Sequence, residues 1–96
     1  MSTYFIAQIR IHNPDEYEKY LSGFDEVFSR YDAEVVLVDD DPELLEGDWT
    51  YSRIVVIRFR NRDEAQKWYG SPEYQRLAQH RYSASKADVI FAEGRD

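Results

Sequence analysis

One histidine directly follows an apolar, strand-like segment. His12 comes after Tyr4–Ile11, which is rich in β-branched and aromatic residues. Because imidazole titrates near neutral pH, His12 is a candidate general acid or base. The alternative is a histidine that ends a strand and hydrogen-bonds the next loop. The other histidine, His80, precedes Arg81 near the end of a predicted helix, where a cation interacts favourably with the helix dipole.

Two carboxylates flank a glycine in a predicted hairpin. Glu46 and Asp48 stand on either side of Gly47. Two neighbouring carboxyl groups can divide the roles of acid and base, so both are candidate catalytic residues. The alternative is that they are turn residues that are only solvated or that cap the turn.

Two arginines are candidates for binding an anionic substrate. Arg10 and Arg58 fall on the mixed, partly polar faces of two strands that are neighbours in the predicted topology. A guanidinium group binds a carboxylate in a planar fork. The alternative is that these arginines pair with Glu34 and Asp88 across the sheet or across a dimer.

Aromatic side chains are candidates for the walls of a substrate pocket. Trp49, Trp68 and Tyr69 are the residues we select as substrate-binding, since small-molecule sites are lined mainly by apolar and aromatic side chains. At helical or strand-end positions aromatic residues also pack in the core, and this alternative stays open.

No metal and no cofactor is predicted. The two histidines are far apart and the chain has no cysteine, so no zinc-ligand spacing is present. The acidic run Asp39–Glu43 is loosely similar to a calcium loop, but Thr50 stands where the twelfth-position glutamate is needed. Haem binding would require His12 or His80 to face an open pocket.

The composition predicts one acidic domain over residues 1–96. The formal net charge is −7 and the pI is about 4.7, so the chain repels phosphates on average and no nucleic-acid partner is expected. No signal-peptide pattern and no apolar run of roughly 20 residues is present, so no membrane partner is expected. The absence of cysteine fits a cytoplasmic location.

Hydrophobic periodicity predicts the elements that position these residues. The first strand alternates an apolar face with a mixed face that carries Arg10. Asn13-Pro14 and Ser71-Pro72 are typical helix starts. After the acidic loop, we expect Leu44 and Leu45 to pack the chain back onto the domain. The predicted strands are Tyr4–Ile11, Glu34–Val38, Tyr51–Phe59 and Ala87–Glu93. The predicted helices are Asn13–Tyr31, a helix that is capped by Asn61 or Asp63 and ends at Gly70, and Ser71–Arg81.

This order of elements predicts an α+β fold. Strand–helix–strand followed by strand–helix–strand is the ferredoxin-like βαββαβ sandwich, in which helices cover one face of a four-stranded antiparallel sheet. On the other face Ile6 and Val56 lie among polar residues. Such a face suits packing against a second copy, so we expect a two-fold homodimer through the sheet.

Five segments resemble a known family. They are Tyr4–Ala7, Asn13-Pro14 with Tyr17 and Tyr20, Leu45–Trp49, Val55–Phe59 and Trp68–Tyr74. On these segments the chain resembles the small bacterial family catalogued as domain of unknown function 1330, within the dimeric α+β barrel superfamily. The resemblance implies the fold and a homodimer but no reaction.

The chain departs from that family at two places. Members often carry Gly-Gly where this chain has Asp32-Ala33, and a glycine-rich turn where it has Asp39–Asp41. If that loop shapes a pocket in relatives, the pocket here is more acidic.

Relatives elsewhere in the superfamily include cofactor-independent monooxygenases, haem-degrading enzymes and lactone isomerases. We therefore expect a small-molecule-binding protein or a cofactor-independent enzyme that acts on a small organic acid or aromatic compound. His12 would move a proton and Arg58 would hold an anion. The alternative is a non-catalytic homodimeric module for binding or sensing.

Overall fold

Four strands and three helices alternate along the chain. The computed structural model describes residues 1–96. Its elements are β1 (Thr3–Ile11), α1 (Pro14–Phe28), β2 (Ala33–Asp39), β3 (Arg53–Phe59), α2 (Arg62–Tyr69), α3 (Pro72–Ala84) and β4 (Ser85–Glu93). The elements follow one another in the predicted order, in which two helices, α2 and α3, stand between β3 and β4.

The strands form one antiparallel sheet in the order β2-β3-β1-β4. The first and third strands are central, and the helices lie on one face. This arrangement confirms the predicted ferredoxin-like α+β fold. None of the three helices is long and apolar enough to cross a membrane.

Side-chain caps explain where each helix begins. Asn13 Oδ1 accepts a hydrogen bond from the Glu16 backbone N–H at 3.2 Å. Asn61 caps α2 in the same way, with 2.9 Å to the backbone nitrogen of Glu64. The prediction left Asn61 and Asp63 open, and the structure selects Asn61. The Ser71 hydroxyl oxygen caps α3, and each of these bonds satisfies a backbone N–H group that has no partner inside the helix.

The core lies between the helices and one face of the sheet. Phe5, Ala7 and Ile9 of β1 are buried, as their alternation predicts. Trp68 of α2 is fully buried at the centre, with its ring centroid 5.1 Å from those of Phe5 and Phe59. Aromatic burial therefore joins α2 to both central strands.

The connection from β2 to β3 differs from the prediction. Strand β3 begins at Arg53 rather than near Tyr51, so residues 40–52 form a longer irregular loop. The prediction that Leu44 and Leu45 pack onto the domain is wrong, as their exposed fractions of 51% and 82% show. A hydrophobic pair can fold a loop back only where the domain offers an apolar surface within reach.

The other face of the sheet is open and carries one apolar row. Leu37, Val56, Ile6 and Ile90 are register partners across all four strands. Ile90 is 57% exposed, and polar residues flank the row on both sides. We call these four residues the apolar row.

Candidate functional site

A cavity of about 330 Å³ opens between α1 and the helix-covered face of the sheet. Eleven of its fourteen lining residues are hydrophobic. Its walls are Phe5, Ala7 and Ile9 of β1; Tyr17, Tyr20, Leu21, Phe24 and Asp25 of α1; Val35 and Val38 of β2; Arg53, Val55 and Ile57 of β3; and Arg81 of α3. The volume and the apolar lining are typical of a site for a small organic ligand.

The cavity forms because α1 packs mainly on α3 rather than over β2. Val35 and Val38 of β2 therefore stay 42% and 46% exposed at its rim. The small side chain of Ala7 adds depth on the floor, where a larger residue would fill the space. The site is thus a gap that helix placement leaves between two apolar surfaces.

Arg81 is a buried cation in the wall of this cavity. Its residue is only 3% exposed, and no carboxylate forms an ion pair with it. Its Nε and Nη2 atoms are buried and donate no hydrogen bond. The guanidinium group lies 5.7 Å from the ring centroid of Tyr20 and 5.0 Å from that of Tyr82. These rings offset only part of the cost of burying a charge.

Two tyrosine hydroxyls meet beside Arg81. Tyr20 and Tyr74 are buried, and their hydroxyl oxygens are 2.7 Å apart in a hydrogen bond. Burial raises the pKa of Tyr20 well above its usual 10.0, and the neighbouring Tyr74 adds to the rise. Burial also raises the pKa of Tyr74, although the Arg81 guanidinium works in the opposite direction. Both phenols are therefore protonated hydrogen-bond donors at neutral pH.

A second arginine lies at the rim. The side chain of Arg53 is 15% exposed and its Nη1 atom is 2.7 Å from the Asp40 carboxylate. Its guanidinium group also lies 5.8 Å from the ring centroid of Tyr17. Because Asp40 already balances this charge, the one cation of the cavity without a counter-charge is Arg81.

The predicted catalytic residues lie outside this cavity. His12 is exposed just after β1, where its backbone N–H donates to the Ala84 carbonyl at 2.9 Å. Glu46 and Asp48 are exposed in the loop of residues 40–52, on either side of Gly47 with its φ of +84°. The structure does not bring His12 together with either carboxylate in one pocket. Their predicted catalytic roles stay predictions.

The two predicted substrate-binding arginines point elsewhere. Arg58 pairs with Glu34 across the β2–β3 ladder, which is the alternative that the sequence left open. Arg10 donates from Nε to the Thr50 carbonyl at 2.7 Å and lies 6.0 Å from the ring centroid of Tyr51. Asp88, the carboxylate predicted to pair with Arg10, accepts a hydrogen bond from Tyr51 instead.

The predicted aromatic residues lie in three different surroundings. Trp68 packs inside the core, with its ring centroid 4.1 Å from that of Tyr74. Tyr69 lies partly exposed beside Phe5, and its hydroxyl is 3.3 Å from that of Tyr82. Trp49 lies in the loop against Tyr51, with centroids 5.0 Å apart. None of the three lines the cavity, so their roles as ligand contacts stay predictions.

Sequence reasoning missed Arg81 as a site residue. The available signal was its position on the apolar stripe of α3, three residues after Ala78 and seven after Tyr74. An arginine is rarely fully buried unless it is paired, so its position on a buried helix face was a signal. The sequence does not show whether any residue of the chain pairs with it. No grouping of three or more histidine, aspartate or glutamate side chains positioned to hold a metal ion is present.

Comparison with known proteins shows the family and the fold of the chain. The family model described as "Domain of unknown function (DUF1330)" matches residues 2–95. No curated protein matches the sequence.

Solved structures with the same fold are similar along the whole chain. A protein of unknown function from Rhodopseudomonas palustris has a TM-score of 0.78 at 17% identity, with 99% of this chain and 83% of that chain covered. SnoaB, a cofactor-independent oxygenase from Streptomyces nogalater, has a TM-score of 0.71 at 18% identity, with 99% and 94% covered. A dimeric ferredoxin-like protein of unknown function from Thermobifida fusca has a TM-score of 0.70 at 15% identity, with 98% and 92% covered. At these identities the likeness shows the fold.

Proposed function

We propose that this chain, which belongs to the family of domain of unknown function 1330, binds a small organic acid or aromatic compound in the cavity between α1 and the sheet. The observation that carries the proposal is the cavity itself, a largely apolar space of about 330 Å³ with a buried guanidinium group in its wall. A preformed apolar pocket with few polar groups is the usual form of a small-molecule site.

The enzymatic form of this proposal is a cofactor-independent reaction. The fold likeness to a cofactor-independent oxygenase supports it, and protonated hydroxyls such as that of Tyr20 can stabilise negative charge that develops on a bound substrate. Asp25 is the one carboxylate that lines the cavity, and it is exposed at the rim. A reaction in this cavity would therefore rely on hydrogen-bond donors more than on a buried base.

A second candidate is a non-catalytic module that binds or senses its ligand. The observation that favours it is that neither histidine lines the cavity, while burial raises the pKa of both Tyr17 and Tyr20. The cavity therefore has no imidazole to exchange protons at neutral pH, and its buried tyrosine hydroxyls stay protonated. Mass spectrometry and NMR of a bound compound, incubated in air with and without the protein, separate the two candidates, because only an enzyme yields a product that the compound alone does not form.

We further propose that two copies pair through the open sheet face. The apolar row crosses the face with polar residues on both sides, and a protein interface commonly has this pattern of apolar centre and polar rim. Similar structures include proteins described as dimeric. A sheet packed on its own copy about a two-fold axis would cover the row in both subunits.

The binding proposal is tested by filling the cavity. Val55 lines the cavity, whereas Val56 is the next residue along β3 and faces the open side of the sheet. Val55→Phe should reduce the binding of small aromatic compounds at least about tenfold, because bound ligand and added ring compete for one space. Because Val56 belongs to the apolar row of the proposed dimer face, the control is Leu45→Phe in the exposed loop of residues 40–52, which should leave binding unchanged.

Ligand-observed NMR against a library of small carboxylates, phenols and neutral aromatics is the measurement. Circular dichroism melting shows whether each variant is folded. Absence of any bound compound on the folded wild-type chain, or equal binding by Val55→Phe, would refute the cavity as the binding site.

A further inference from the structure

We infer that the ligand of the cavity is a small carboxylate, held by the Arg81 guanidinium with the Tyr20 hydroxyl as a second donor. This inference rests on the proposed binding function and specifies its ligand class. The cavity has an apolar body, and Arg81 in its wall has two buried nitrogens that donate no hydrogen bond. A molecule with an apolar body and one planar anionic end is complementary to both.

The two free nitrogens of Arg81 define the shape of the anionic group. Nε and Nη2 lie on one edge of the guanidinium plane, and neither donates a hydrogen bond within the protein. Parallel N–H groups on one edge match the two oxygens of a carboxylate, which they bind in a bidentate fork. A neutral carbonyl compound would satisfy only one of them.

The charge of Arg81 gives the second reason. A buried cation without a counter-ion is costly, because water no longer stabilises its charge. Arg81 is 3% exposed and has only the Tyr20 and Tyr82 rings within cation–π range. An anion that enters the cavity supplies the missing opposite charge. Binding of a carboxylate therefore recovers free energy that binding of a neutral molecule does not.

The Tyr20 hydroxyl can provide a hydrogen-bond donor in addition to Nε and Nη2 of Arg81. Tyr20 lines the cavity and Tyr74 does not, although their hydroxyls form a hydrogen bond of 2.7 Å. When the Tyr74 hydroxyl donates to Tyr20, the hydroxyl proton of Tyr20 is free for a ligand oxygen. Arg53 also lines the cavity and its buried Nε donates no hydrogen bond, but Asp40 already balances its charge, so Arg81 has the greater need for an anion.

Paired probes that differ only in charge test this inference. We choose 4-fluorobenzoate and 4-fluorobenzamide, which have nearly the same size and planarity, and fluorine NMR titration to measure binding. The wild-type chain should bind the benzoate about ten- to a hundredfold more tightly than the benzamide, because charged hydrogen bonds are the stronger ones. Arg81→Met should bind both compounds with similar affinity.

Three further variants complete the design. Arg76→Met is the matched control, since Arg76 is an exposed arginine on the same helix, and it should keep the full preference for benzoate. Tyr20→Phe should weaken benzoate binding by up to about tenfold. Arg81→Lys retains the charge without the fork, so it should lower the preference to less than about tenfold.

Stability separates a binding role of Arg81 from a structural one. Exchange of a buried, unpaired charge for an apolar side chain is commonly neutral or stabilising, so Arg81→Met should melt no lower than wild type. If Arg81→Met fails to fold, two other measurements test the binding role. One is the preference of Arg81→Lys for benzoate. The other is the ¹⁵N resonance of Arg81 Nε in the wild type, which should shift with benzoate and not with benzamide.

The outcomes distinguish this inference from the proposed function. Equal wild-type affinity for benzoate and benzamide would overturn the carboxylate inference and leave the cavity site intact. Loss of the preference in Arg76→Met but not in Arg81→Met would overturn the assignment to Arg81. If no library compound binds at all, the proposed function itself fails.

Discussion

At the scale of residues, the centre of the molecule is a group of hydrogen-bonding side chains inside an aromatic core. Tyr20, Tyr74 and Arg81 have polar atoms that are almost fully removed from water. The two hydroxyls form one hydrogen bond with each other, whereas two nitrogens of the guanidinium group donate no hydrogen bond. Since buried polar groups are nearly always paired, these free donors are the feature of the chain that most needs a chemical explanation.

The buried tyrosine pair predicts a loss of stability in alkali. A phenol whose folded-state pKa is raised stabilises the fold fully below its unfolded pKa of about 10. As pH rises above 10 towards the higher folded-state pKa values of Tyr20 and Tyr74, that contribution is lost. Denaturant unfolding at a series of pH values should show a steeper decline above pH 10 for wild type than for the Tyr20→Phe/Tyr74→Phe double variant.

The single variants serve as controls for that result. Tyr20→Phe alone leaves the Tyr74 hydroxyl buried without its partner, so it should destabilise the chain by about 1–3 kcal/mol. The double variant should lie closer to wild type at neutral pH, because both partners are then apolar. Ionisation of Tyr20 at pH 10 in the folded chain, seen as tyrosinate absorbance, would contradict the predicted burial effect.

At the scale of elements, the close contact between α1 and α3 decides where the cavity opens. Gly23 lies in α1 at the point where it faces Leu77 of α3. A β-carbon at position 23 would lie 2.6 Å from Leu77 Cδ1. The glycine therefore permits a close helix contact, and the Glu16 carboxylate of α1 accepts a 2.6 Å hydrogen bond from Nδ1 of His80 on α3.

The contact between these helices predicts non-additive mutations. Gly23→Ala should stabilise α1 by about 1 kcal/mol through helix propensity, but in wild type the added β-carbon has to displace the end of the Leu77 side chain, which reduces this gain. In the Leu77→Ala background the clash is absent, so the same change should be stabilising by about 1 kcal/mol. Chemical unfolding of the four chains of this double-mutant cycle is the measurement, and strict additivity would contradict the predicted contact.

At the scale of the whole molecule, an acidic chain keeps one sheet face open. The net charge of −7 favours solubility and opposes non-specific association. The apolar row still exposes Ile90 at 57% and Leu37 at 42%. Contiguous exposed apolar residues within a polar rim are a common mark of an interface, and this supports the proposed pairing of two copies.

One charge placed in the apolar row should prevent that pairing. Ile90→Glu would place a charge in the apolar row of each subunit and remove apolar area from the interface. We expect it to weaken dimerisation by at least about a hundredfold, which native mass spectrometry over a concentration series would show. Gln66→Glu adds the same charge on the exposed surface of α2 and should leave the dimer intact. A monomeric wild type would refute the pairing.

Much of the architecture was predictable because its causes are local. Alternation along β1 predicted that Phe5, Ala7 and Ile9 all face the helices, since successive side chains of a strand point to opposite faces of the sheet. Asn13-Pro14 and Ser71-Pro72 predicted two helix starts, since capping needs only residues within one turn. From such elements in this order, the ferredoxin-like sheet followed.

The candidate site was not predictable in this way, because its causes are distant in sequence. The hydrogen bond between Tyr20 and Tyr74 joins residues 54 positions apart, and only the packing of α1 on α3 brings Tyr20 beside Tyr74 and Arg81. The sequence alone determined the elements, their order and the apolar faces, since these depend on neighbouring residues. Tertiary structure alone decided which guanidinium lacks a partner, because burial and pairing depend on where whole helices come to rest.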